Sequence, residues 1–88
     1  MTDRTTLLEF PTTFPLKAIG TGPADFETVV VDIARRHVPV LADNCTSTRL
    51  SNGGRYLAVT ITFVADSQNQ LDALYGELQA HERVVMLL

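Results

Sequence analysis

Only one cysteine and no basic excess occur among these 88 residues, and each shortage removes a class of function. With Cys45 alone, an intrachain disulfide is impossible and the cytoplasm is the expected compartment. Cys45 itself reads as a small strand side chain, since no neighbouring histidine or lysine stands ready to lower its pKa. Ten acidic residues against seven basic ones give a net charge of -3, which leaves no stripe to track a phosphate backbone. Nucleic acid is therefore not an expected partner. The apolar runs fall far short of the ~20 residues that cross a bilayer, so no membrane partner is expected. Met1 to Thr6 lacks the basic start and apolar stretch of a secretory signal, and none is expected.

What is present is most legible between residues 55 and 64. Leu57, Val59, Ile61 and Phe63 are bulky and apolar, while the interleaved Ala58, Thr60 and Thr62 are small or hydroxylated, with Tyr56 as their large member. Successive strand side chains point to opposite faces of a sheet. This segment is thus a central strand with one packed face and one thinly covered face.

Around it the chain reads as one domain at residues 14–88, preceded by an irregular lead-in at 1–13 whose Leu7, Leu8 and Phe10 are expected to lie against the body. A first strand is predicted from Phe14 to Thr21, with Phe14, Leu16 and Ala18 on one face and Lys17 and Ile19 on the other. Gly20, Thr21 and Gly22 end it, and Pro23 suits the first turn of a helix, where a missing N–H costs nothing. That helix is predicted over Ala24 to His37, on the apolar stripe Phe26, Val29, Val30, Ile33 and His37. Asp25 and Glu27 near its start and Arg35 and Arg36 near its end match the helix dipole. Residues 44–50 form a polar edge strand, joined to the central strand by a hairpin at Ser51 to Gly54. Ser67 and Gln70 have the spacing of a capping box for a second helix with Leu71, Leu74, Tyr75 and Leu78 inward. Arg83 to Leu88 is the last strand, with Val84, Met86 and Leu88 on one side and Val85 and Leu87 on the other.

The order β-α-β-β-α-β, with right-handed crossovers, predicts an α+β fold of the ferredoxin-like kind: a four-stranded antiparallel sheet with both helices on one face. The opposite face is expected to present Lys17, Ile19, Tyr56, Ala58, Thr60, Thr62, Val85 and Leu87, a surface suited to an interface. Such folds host unrelated functions, so the side chains decide. The loop after the first strand has no Cys-x-x-Cys pair to bind a metal and no arginine to hold a phosphoryl group. Tyr56 is the lone aromatic offered for base stacking on the central strand. His37 reads as a helix-end residue and His81 as a solvated turn residue. No triad or paired-carboxylate pattern accompanies them, so neither a catalytic residue, a metal nor a cofactor is expected, and an enzyme acting through His37 or His81 is the third choice. Gly20, Thr21 and Gly22 before a helix start read first as a tight turn, and second as a cradle whose N–H groups take a small anion.

Leu7-Leu8-Glu9-Phe10-Pro11-Thr12, followed by Phe14, Lys17 and Gly20, resembles the opening of the YbeD-like family of small bacterial proteins. Arg36-His37-Val38-Pro39, Tyr56 to Thr62, Leu74-Tyr75 with Leu78, and Met86-Leu87-Leu88 fit the same pattern. The resemblance implies an ACT-like regulatory domain without catalytic residues, linked to lipoate metabolism or glycine cleavage. It implies a small amino acid or related metabolite at Gly20, Thr21 and Gly22, and a homodimer or a partner enzyme. The leading expectation is a non-catalytic, metabolite-sensing regulatory module. The alternative is a protein-interaction adaptor with no small ligand.

Overall fold

The computed structural model describes residues 9–88, so the expected docking of Leu7 and Leu8 lies outside the described residues. Six elements follow in the predicted order: β1 (Thr12–Thr21), α1 (Pro23–His37), β2 (Thr46–Leu50), β3 (Tyr56–Ala65), α2 (Gln68–Ala80) and β4 (Val84–Leu87). The sheet is antiparallel in the order β2-β3-β1-β4, the ferredoxin-like arrangement. Its core is formed where Leu16, Ala18, Val59 and Ile61 meet Phe26, Val30 and Ile33 of α1 and Leu71, Leu74 and Leu78 of α2, all of them buried.

The long β1·β3 ladder runs from Thr12↔Ala65 to Thr21↔Tyr56, so β1 starts two residues before the expected Phe14. Pro15 sits inside this central strand although it cannot donate to a ladder. The hydrogen-bond parity explains why it is tolerated. Lys17 exchanges both backbone bonds with Leu88, at 3.2 and 2.8 Å, so its N–H points away from β3 toward β4. Pro15 has the same parity, and β4 ends before reaching it, so no bond is lost there.

The start of α2 is capped as the residue types require. Ser67 Oγ accepts from Gln70 N at 3.1 Å, and Gln70 Oε1 accepts from Asp66 N at 2.7 Å. Gln70 Nε2 also donates to His37 O at 2.8 Å, which makes one side chain both the cap of α2 and the anchor for the end of α1. In the β2–β3 turn, Gly53 and Gly54 take φ of 86° and 73°, the left-handed region that glycine enters without strain.

The last strand departs from its predicted faces. Ala18 pairs with Leu87 and Ile19 with Met86, but Gly20 pairs with Val84, so a bulge at Val85 shifts the alternation. Leu87 therefore packs against the core and does not belong to the open face. Met86 and Leu88 take its place there, at 49 % and 62 % exposure.

Candidate functional site

The face of the sheet away from the helices is built in rows across the strands. Backbone pairing sets Ser47, Thr60, Lys17 and Leu88 in one row and Arg49, Ala58, Ile19 and Met86 in the next. Tyr56 and Thr21 begin a third row. Of the residues predicted for this face, Lys17, Ile19, Tyr56, Ala58, Thr60 and Thr62 lie on it. Val85 stands exposed at the bulge beside it, and Leu87 is absent from it. The expectation missed Arg49 and Ser47, which the β2·β3 register brings opposite Ala58 and Thr60. A two-residue count along β2 from a known hairpin would have placed them.

Small residues make this face hollow rather than flat. Ala58 and Thr60 floor a depression of about 380 Å³ walled by Lys17, Ser47, Thr48 and Arg49. A second, of about 280 Å³, adjoins it between Ile19, Arg49, Tyr56 and the Ser51–Asn52 turn. Lys17 and Arg49 are both exposed, and among the described residues neither makes an ion pair. The strands carry these two basic residues and no acidic one, although the chain as a whole has ten acids to seven bases. The acids of the secondary structure lie on the helices, at Asp25, Glu27, Asp32, Asp72 and Glu77. Within the helices and strands, the acids and Arg35 and Arg36 thus lie on the helices, and the sheet carries only bases.

The glycine loop is tied to the start of the last strand. Gly22 adopts φ 70° and ψ 59° and caps α1, while Arg83, just ahead of β4, reaches across it. Arg83 Nε donates to Thr21 O at 3.1 Å, and its Nη2 donates to Gly22 O and to Asp25 Oδ1, both at 2.6 Å. Its guanidinium carbon lies 5.9 Å from the Phe26 ring centroid. The carbonyl oxygens of Thr21 and Gly22 thus both face the guanidinium of Arg83. Thr21 N–H donates to Arg83 O at 3.1 Å, and Pro23 has no N–H to offer. A Cβ on Gly20 would overlap the Phe26 ring, and one on Gly22 would overlap the guanidinium. This internal contact accounts for glycine at positions 20 and 22 without a ligand. The hydrogen bond from Arg83 holds the Asp25 carboxyl below the usual carboxylate range and raises the guanidinium in return.

The histidines stand apart from each other. His37 Nε2 lies 2.7 Å from Glu77 Oε1, and Glu77 Oε2 pairs with Arg36, so this cluster fastens α1 to α2. His81 turns Nδ1 to accept from Arg83 N at 3.2 Å. An apolar groove of about 500 Å³ runs between the Val38–Ala42 segment and Thr62–Val64, with Val40 84 % exposed at its rim. Among the described residues no helix is long and apolar enough to cross a membrane.

Comparison with known proteins places the chain. Residues 5–88 match the family model described as a protein of unknown function, DUF493. The chain belongs to that family. Curated DUF493-type relatives carry the name UPF0250 protein. That of Leptothrix cholodnii is 43 % identical over 82 residues, covering 93 % of this chain and 90 % of the relative. That of Chromobacterium violaceum is 43 % identical over 82 residues, covering 93 % and 92 %. That of Neisseria meningitidis serogroup A is 40 % identical over 86 residues, covering 98 % and 94 %. The YbeD-like resemblance seen in the Leu-Glu-Phe-Pro-Thr opening is to this same family of small, uncharacterised bacterial proteins.

Proposed function

We propose that this domain is a non-catalytic regulatory module that acts by docking onto a partner protein through the open face of its sheet. The observation that carries the reading is the sheet face itself. Met86 and Leu88 stand exposed and Ile19 half-buried beside a hollow lined by Ala58 and Thr60, on a side where neither helix packs. A face alternating small and apolar side chains is what a second surface needs to pack closely. The metabolite-sensing version receives no support from Gly20 to Gly22, because Arg83 already satisfies the converging carbonyls. The link to lipoate metabolism or glycine cleavage rests on family resemblance alone and names candidate partner enzymes for the test.

The test is site-specific photo-crosslinking in the native host, with a benzoylphenylalanine at position 60 on the open face or at position 72 on the exposed side of α2. The reading predicts a discrete crosslinked protein from position 60 and none from position 72. The activity of that captured protein should change when the purified domain is added. Equal crosslinking from both positions, or a partner whose activity is indifferent, contradicts it.

A further inference from the structure

Lys17 and Arg49 are the sheet's charged residues, and they wall opposite sides of one hollow. They lie two strand spacings apart, roughly 10 Å, with one pleat of stagger. Long side chains at that separation converge over a single carboxylate. Arginine presents a planar fork to such a group and lysine a point charge. Beside the pair, in the same two rows, Ile19, Met86 and Leu88 form an apolar strip.

We infer that the open face takes an acidic segment of another protein, seating a carboxylate between Lys17 and Arg49 over Ala58 and Thr60, with apolar side chains on Ile19, Met86 and Leu88. This rests on the docking function proposed above and adds the chemistry of the partner.

Charge decides among occupants. A second copy of this chain docked face to face would set Lys17 and Arg49 against like charges, with no strand acid to answer them. A nucleic acid would find Tyr56 as the sole aromatic on the strands of this face, and would approach a protein of net charge -3. A partner segment bearing a few carboxylates needs a local basic site and is not repelled from the sheet side by the acids of the helices, which lie beyond the core. The alternation of such a segment would match the rows.

The experiment is an NMR titration of the full chain with three probes: a capped peptide alternating Glu and Leu, its Lys/Leu counterpart, and an oligouridylate. The Glu/Leu peptide is expected to shift the amide signals of Lys17, Ile19, Ala58 and Thr60 saturably, with an affinity that falls as salt is added. Lys17→Glu with Arg49→Glu should weaken it by at least about tenfold and transfer the preference to the Lys/Leu peptide. Lys17→Gln with Arg49→Gln, checked by a dispersed spectrum, should weaken it without the transfer. Silence toward the Glu/Leu peptide, affinity that survives charge reversal, or preference for the oligouridylate overturns the inference. The two readings fail separately. A crosslink from position 60 that persists at full yield in the charge-reversed variant refutes the acidic chemistry and leaves the docking function standing, whereas no crosslink from the unaltered protein removes both.

Discussion

Arg83 Nη2 lies 2.6 Å from Asp25 Oδ1, and through that contact the first residue ahead of β4 is tied to the first turn of α1. The same guanidinium satisfies the carbonyls of Thr21 and Gly22, so one side chain closes the end of the sheet where β1 hands over to the helix.

Replacing Arg83 by Met should therefore lower the thermal midpoint more than replacing Asp25 by Asn. The first change strands two carbonyls and removes the ring contact with Phe26, while the second removes only the charge of one acceptor. Thermal denaturation of the two variants at neutral pH checks the order. Equal losses would mean that the carbonyl contacts contribute nothing beyond the ion pair.

Asp25 also sets a pH dependence. Its folded pKa is depressed, so its contribution is fully present above the unfolded value and is lost as pH falls through the folded one. Denaturant titrations of the wild type and of Asp25→Asn should differ at neutral pH and converge below about pH 4. A difference that persists unchanged to lower pH would exclude the ionised contact as its source.

The two faces of β3 should respond differently to truncation. Ile61 is fully buried, so Ile61→Ala is expected to cost about 2–5 kcal/mol in urea unfolding. Thr60 lies on the open face, and Thr60→Ala should stay within about 0.5 kcal/mol. Similar losses at both positions would show that the open face is covered within the isolated chain.

Gly22 tests the loop. Its φ of 70° is one that an L side chain adopts with difficulty, so Gly22→Ala should cost roughly 1–2 kcal/mol before any clash with Arg83 is counted. In an Arg83→Met background the clash is absent and the backbone cost remains. A double-mutant cycle separates the two.

How far these features could be read from the chain depends on local contrast. Leu57 to Phe63 alternates bulky with small residues, so the strand, its faces and its central place were all legible. Ser67 and Gln70 announced the start of α2 by chemistry that works over four residues. Val84-Val85-Met86-Leu87-Leu88 offers no such contrast, because every residue is apolar and a period of two leaves no trace. The bulge at Val85 is set by how β4 meets Ile19 and Gly20 of β1, a tertiary event, and it moved Leu87 to the core. Arg83 was equally silent. Its partners are some sixty residues upstream, and an arginine ahead of a strand looks like any solvated charge until the fold closes. Arg49 was hidden by a local ambiguity instead: its pairing opposite Ala58 depends on the hairpin register.

Occupancy of the open sheet face in the cell decides whether the domain docks as proposed. The direct measurement is maleimide labelling of Thr60→Cys in a Cys45→Ser background, compared with Asp72→Cys on α2, in intact native-host extract and in the purified protein. We predict that position 60 reacts rapidly in the purified protein and is protected in the extract, while position 72 reacts alike in both. Equal labelling of position 60 in extract and in purified form would contradict a docked partner, and protection already present in the purified chain would show that the face is covered by the protein itself.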